Sequence, residues 1–232
     1  MSEIFREVDE ELREEQLLRL WHKYGKLLIA AAVAIVLGVA GTALWRNYTH
    51  NRQETDSDRF AAALDLVNAG KMQEAIGAFA KLAKDGTTGY GALARLREAA
   101  TRLKAGDRDG AVAAYDALAS DGDAPRLLRD FAALQAAWQL ADSASADEVG
   151  IRLGQLIAPE NPWRFSALEL QAAVLLKAGD RAGALEIYKG LVTNPQGPLG
   201  VRRRAGDMVD ALEPTPAEKA APEAKKQEKQ GE

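Results

Sequence analysis

The sequence predicts an all-α chain: a charged N-terminal helix, a single transmembrane helix, then a solenoid of helical hairpins. Three observations predict it. The run Leu27–Trp45 holds 19 residues and no charge. Three later segments repeat the same residue types at the same offsets. The composition is alanine-rich and only 6% aromatic, which leans toward helix.

The N-terminal arm, residues 1–26, has neither proline nor glycine before Gly25. Ile4, Val8 and Leu12 recur every four residues with Phe5 beside them, and Leu17, Leu20, Trp21 and Tyr24 continue an apolar face. The polar side is acid-rich, whereas helices lying on lipid usually present a basic face. The arm therefore reads either as a solvated extension of the following helix or as a contact for a cytoplasmic partner.

Residues 27–45 read LLIAAAVAIVLGVAGTALW. At ~1.5 Å per residue they reach about 28 Å, close to the ~30 Å hydrocarbon thickness of a bilayer. Trp21 and Tyr24 before the run, and Trp45 and Tyr48 after it, suit the two membrane interfaces. Lys23, Lys26 and Arg46 can extend their charges outward from the ends. A cleaved signal peptide is the rival, with Gly38-Val39-Ala40 as the small-residue site. However, 26 residues precede the run, and it exceeds the ~7–15 residues of a signal-peptide core, so an uncleaved anchor is expected. Arg13, Arg19, Lys23 and Lys26 on the N-side outnumber Arg46, Arg52 and Arg59 on the other. This bias favours a cytoplasmic N-terminus and an exported body. Ala30, Ala34, Gly38 and Thr42 recur every four residues. The stripe reads either as a chance feature of an alanine-rich span or as a face for another membrane helix.

The repeats occupy residues 46–212. Their segments are AGKMQEAIGAFAKLAKD (69–85), AGDRDGAVAAYDALASD (105–121) and AGDRAGALEIYKGLVTN (178–194). Counted from Gly70, Gly106 and Gly179, alanine stands at +5 (Ala75, Ala111, Ala184), an aromatic ring at +9 (Phe79, Tyr115, Tyr188) and leucine at +12 (Leu82, Leu118, Leu191). Gly106 lies 36 residues beyond Gly70, and Gly179 lies 73 beyond Gly106. One unit therefore sits in the gap, where Val149, Leu153, Leu156 and Pro159 form a weaker copy with Ala144 at the glycine position. A period of this length marks a helical-hairpin array. Glycine ends the first helix of each pair in a left-handed conformation, and alanine lets the second helix approach the first. The ring and the leucine face inward, and each hairpin stacks on the next to cover its apolar stripe.

The preceding helices carry Phe60, Leu64 and Val67; Leu93, Leu96, Ala100 and Leu103; Phe131, Leu134, Trp138 and Ala141; and, slipped by one, Phe165, Leu168, Ala172 and Leu175. Trp138 is placed in the core by this pattern, with lining of a binding groove as the other reading. Residues 199–212 are expected to form a capping helix with Leu199, Val201, Met208, Val209 and Leu212 as its apolar contacts. Residues 213–232, rich in proline, alanine, lysine and glutamate, are expected to be disordered.

Thirty-four acidic against 30 basic residues give a net charge of -4, which argues against nucleic acid as a partner. The chain has no cysteine, and its two histidines, His22 and His50, flank the apolar run. Thiolate sites, disulfides and a buried histidine centre are therefore not expected. Phosphate-binding, hydrolase and metalloprotease motifs are absent from the sequence. The aspartates Asp107/Asp109, Asp121/Asp123 and Asp142/Asp147 lack EF-hand spacing and are expected to cap helices rather than hold a metal. Glu169 and Glu186 read as isolated, solvated positions. Arg202, Arg203 and Arg204 form the densest basic spot, either a solvated helix face or a contact for an acidic partner. No enzyme activity, cofactor, metal or small-molecule substrate is expected. The expected role is protein interaction.

The glycine–alanine–aromatic portion resembles a tetratricopeptide repeat, while the first helix of each pair departs from that consensus. The juncture RLWHKYGKLL (19–28), the WRNY exit (45–48) and AGKMQEAIGAFAKL, in that order, resemble the proteobacterial ancillary subunit family of the Sec translocon. The resemblance covers roughly residues 10–210. The arm EIFREVDEELREEQ and the lysine-rich tail extend beyond the shared portion. The resemblance implies a single-pass inner-membrane protein with a cytoplasmic N-terminus and a periplasmic tetratricopeptide-like domain. It also implies partners among translocon subunits, periplasmic chaperones and exported clients, and no catalytic residues. A scaffold for envelope assembly or cell division would use the same parts.

Overall fold

The structure, a computed structural model, describes residues 2–213; for residues 2–22 and for Leu28, Ala31 and Ala32 it describes the backbone alone. The tail expected to be disordered thus lies, beyond Glu213, outside the described residues. So do the side chains of the arm's amphipathic face up to His22. Among the described residues the chain is helical throughout: α1 (Ser2–Asn68), α2 (Met72–Asp85), α3 (Thr88–Lys104), α4 (Arg108–Ala119), α5 (Arg126–Leu140), α6 (Ala146–Leu153), α7 (Arg164–Lys177), α8 (Arg181–Thr193) and α9 (Leu199–Leu212). The chain divides into two compact units, Met1–Thr55 and Asp56–Glu232.

In the first unit, the described side chains of the apolar run are exposed all round the helix, from 52% at Val33 to 73% at Leu44. Among the described residues no helix is long and apolar enough to cross a membrane. Thr42 and Thr49 return their hydroxyls to the helix, to the carbonyls of Val39 and of Trp45 and Arg46.

In the second unit the end of α1 pairs with α2, and α3 with α4, α5 with α6, α7 with α8; α9 closes the series. The apolar clusters show why each hairpin needs the next. Ala63 of α1 meets Ala75, Phe79 and Leu82 of α2 and Ala94 of α3. Ala99 of α3 meets Tyr115 and Leu118 of α4 and Ala132 of α5. Leu134 of α5 meets Val149 and Leu153 of α6 and Leu170 of α7. Ala172 of α7 meets Tyr188 and Leu191 of α8 and Val201 of α9. Each cluster thus draws on three successive helices, so a single hairpin would leave its stripe wet. Burial of each phenylalanine or leucine stabilises by roughly 1.5–3 kcal/mol. Phe60 adds an edge-on contact to Phe79, centroids 5.5 Å apart at 62°.

The third pair departs from the rest. Helix α6 has only 8 residues. Ala144 does not substitute for glycine there, because positive φ among the described residues occurs only at Gly70, Gly106 and Gly179. Ser145 begins α6 instead, accepting the Glu148 N–H, and Leu156 completes the buried face beyond the helix end. Pro159 of the weaker copy is exposed.

Four expectations about burial are corrected. In α3, Leu93 is exposed and none of the four expected residues is fully buried; Ala92, Ala94 and Ala99 pack inward instead. Trp138 is 57% exposed and not core. Helix α5 turns the small residues Ala132, Ala136 and Ala137 inward with Leu134, and that close approach leaves the indole no room on the same side. Leu199, expected as an apolar contact of the capping helix, is 79% exposed, and Val201, Ala205 and Leu212 do the packing. In α7 the buried set is Ala167, Leu170, Ala172 and Val174, so of the four expected residues only Ala172 is fully buried.

Candidate interaction surface

The turn between paired helices is the repeated device that shapes the array. Gly106 adopts φ 83°. Its N–H donates to Leu103 O at 3.0 Å, and the Asp107 N–H donates to Arg102 O at 2.9 Å. These two bonds close the end of α3 as a Schellman motif. The same pair forms at Gly179, φ 90°, from Gly179 to Leu176 O and from Asp180 to Leu175 O. It forms again at Gly70, φ 76°, from Gly70 to Val67 O and from Lys71 to Leu66 O.

The residue after the glycine begins the next helix. Asp107 accepts the Gly110 N–H, and Asp180 accepts the Gly183 N–H, each at 2.9 Å. A Cβ on Gly110 would lie 2.2 Å from Asp107 Oδ2, and one on Gly183 would lie 2.4 Å from Asp180 Oδ2. The second glycine of AGDRDG and AGDRAG therefore makes space for the capping carboxylate. The arginine of the same motif reaches the following helix. Arg181 donates from Nε and Nη2 to Leu212 O, at 3.0 and 2.7 Å, at the end of α9. Arg108 approaches Asp142, just past the end of α5, at 4.0 Å. Four residues thus stop one helix, start the next and tie down a third.

Ionic and hydrogen-bonded contacts within and between hairpins complete the frame. Arg102 holds Glu98 at 2.8 Å and Asp107 at 2.8 Å. The Arg102 guanidinium, helped by the Gly110 N–H, keeps the Asp107 carboxyl below the usual carboxylate range. Asp107 and then Glu98 raise the Arg102 pKa in turn. Burial pushes the hydroxyls of Tyr115 and Tyr188 up, and the Glu169 charge adds to the rise at Tyr188. Arg152 of α6 pairs with Asp116 of α4, and Lys177 donates to the carbonyls of Ala141 and Asp142.

The sequence-derived residues fall as follows. The stripe Ala30, Ala34, Gly38 and Thr42 is exposed, and a Cβ on Gly38 would meet nothing within 4 Å. Ala75, Ala111 and Ala184 are fully buried, as are Phe79 and Leu118, with Tyr115, Tyr188, Leu82 and Leu191 close behind. The arginine triplet splits three ways. Arg204 grips both oxygens of Glu169, at 2.6 and 2.7 Å. Glu169 is therefore not an isolated solvated position, because α7 and α9 bring two residues 35 apart in sequence into contact. Arg202 donates to Val192 O at 3.3 Å, and Arg203 is exposed.

Sequence reading missed Asp56. Its carboxylate is 1% exposed; Oδ2 accepts the Thr87 N–H at 2.7 Å where α3 begins, and Oδ1 lies 3.7 Å from Arg59. No local pattern marks it, since its partner is 31 residues away.

Cavities open beside three hairpins. One of about 240 Å³ lies between α1 and α2, lined in part by Ala62, Leu66 and Lys81. Another of about 380 Å³ lies between α7 and α8, lined in part by Arg164, Leu168 and Glu186. The third, between α8 and α9, is about 450 Å³. Among the described residues no cluster of three or more histidine or acidic side chains could hold a metal ion. The arrangement suits recognition of a polypeptide by shape and charge.

Among known proteins, the family model described as a tetratricopeptide repeat-like domain matches residues 19–197. No curated protein matches the chain.

Proposed function

The chain belongs to the tetratricopeptide repeat-like domain family, and from that premise we propose that it is a protein-interaction module held to the bacterial inner membrane by residues 27–45. The N-terminus lies in the cytoplasm and the array in the periplasm. The array binds Sec translocon subunits, periplasmic chaperones or their exported clients.

The observation that carries this reading is the exposed apolar rod. Leu27, Ile29, Ile35, Leu37, Val39 and Leu44 are each more than half exposed, on a stretch of α1 that carries no charged residue. In water such a surface has no stable resting place, whereas lipid supplies the missing contact on all sides. The family match begins at Arg19 and takes in the juncture, the rod and the repeats as far as residue 197. The translocon assignment rests on the resemblance of RLWHKYGKLL, WRNY and AGKMQEAIGAFAKL.

Two measurements test it. Carbonate washing of membranes should leave the full chain in the pellet, and its release would remove the anchor. Photo-crosslinking in intact cells from exposed positions of the array, read by mass spectrometry, should return translocon subunits or periplasmic chaperones. Reproducible capture of division or envelope-assembly proteins instead would assign the scaffold role.

A further inference from the structure

The last hairpin leaves a mixed surface uncovered. Val192, Leu199, Gly200, Arg202 and Arg203 line the cavity of about 450 Å³ between the end of α8 and the first turns of α9. Leu199 projects there and is largely exposed. Arg202 is held in place: its Nε bonds Val192 O, and its stem passes Gly197, where a Cβ would lie 3.2 Å from Arg202 Cγ. That tether leaves the two terminal nitrogens of its fork for another acceptor. Arg203 stands beside it, exposed. Among the described residues neither arginine pairs with a carboxylate, while Arg204, next in sequence, is spent on Glu169.

We propose that the α8–α9 cavity receives an acidic segment of a partner protein, whose apolar side chain seats against Leu199 and Val192 while neighbouring carboxylates pair with Arg202 and Arg203. Charge complementarity selects the occupant. Two guanidinium groups without their own counter-charges favour carboxylates, and Arg202 is oriented for a forked contact. The apolar wall distinguishes a polypeptide from a simple anion, which would gain nothing from it. Nucleic acid is disfavoured by the net charge of -4. This inference rests on the interaction-module reading alone and is independent of the anchor and the translocon.

The test uses the full chain in non-ionic detergent and a fluorescein-labelled, end-blocked octapeptide of two leucines and six glutamates. Saturable binding is expected by fluorescence anisotropy. Replacing the peptide's glutamates by glutamines, or Arg203→Glu in the protein, should each weaken it by about tenfold or more, the value of one charge-assisted contact. Leu199→Ser should weaken it as well. Arg97→Glu, at an exposed arginine of α3, should leave it unchanged. Both arginine variants are at surface positions, and circular dichroism verifies their fold.

Absence of saturable binding, equal affinity for the glutamine peptide, or equal loss in the Arg97→Glu chain would overturn the proposal. Two other occupants are read in parallel. If Arg203→Glu releases the chain from phosphatidylglycerol vesicles without altering peptide affinity, the surface meets lipid and the proposal falls. If the same variant converts a dimer to a monomer in sedimentation, a second copy covers the surface and the proposal again falls. Failure to crosslink the translocon would leave a positive peptide result standing. Conversely, crosslinks made elsewhere on the array would survive a negative peptide result.

Discussion

Asp107 and Gly110 form a matched pair: the aspartate accepts the glycine N–H at 2.9 Å, and a methyl group on the glycine would stand 2.2 Å from the carboxylate. The cap and the missing side chain require each other. Since Arg102 also holds Asp107, the pair joins the end of α3 to the start of α4. Its carboxyl titrates below the usual range because the charged form is the bonded one. Stability from this joint is therefore present above the ordinary aspartate pKa and lost as pH falls through the depressed value. Urea unfolding of wild type and Asp107→Ala, compared from about pH 7 to about pH 2, should show the difference between them shrinking steadily below the ordinary aspartate pKa. A difference that stays constant would detach the effect from the carboxylate.

Two glycines should respond to alanine with opposite signs. Gly77 lies inside α2, and a Cβ there meets nothing within 4 Å. Gly77→Ala should raise stability by about 0.5–1 kcal/mol. Gly106 sits at φ 83°, where a Cβ costs about 1–2 kcal/mol. Gly106→Ala should lower stability by that amount, although space is open around it. Thermal unfolding of the two variants decides the matter.

Asp56 supplies the acceptor for the Thr87 N–H from a helix 31 residues away. Asp56→Ala should cost about 1–3 kcal/mol, because the donor loses its partner inside the fold. Asp56→Asn keeps an oxygen in place and should recover most of that loss. Hydrogen exchange at Thr87 should quicken in the alanine variant and much less in the asparagine one.

Arg181 caps the end of α9 through Leu212 O. Arg181→Met retains the stem and removes the donors. A loss of about 1 kcal/mol is expected, with exchange quickening over the last turn of α9 while α2 is unaffected. Uniform quickening throughout the array would argue against a local cap.

Trp138 has 57% of its surface exposed. Trp138→Ala should change unfolding stability by no more than about 0.5 kcal/mol. A buried tryptophan would instead cost about 3–5 kcal/mol, so the outcome separates the two placements sharply.

Some of this was legible at once. The spacing of glycine, alanine, ring and leucine marks the hairpin turns and the inward faces of α2, α4 and α8, since these depend on local backbone geometry and on one helix's period. The final helix was legible as an element, but its exposed Leu199 was not. Trp138 fits the heptad-like pattern of its neighbours and still points outward, because the approach of flanking helices decides which apolar residues stay dry. The glycine at Gly110 and Gly183 was visible as a letter and unreadable as a need, since the carboxylate that fills its space is oriented by the cap itself.

Sequence alone determined the helical class, the repeat length, the turns that require glycine and the location of the apolar rod, because each is a property of adjacent residues and of transfer from water. Only the tertiary structure decided which arginine of 202–204 meets a carboxylate, that Asp56 begins α3 from a distance, and that Arg181 ends α9. Those are contacts between residues 31 to 35 positions apart. They exist only after stacking has brought separate helices within hydrogen-bonding reach, and no local pattern encodes that distance.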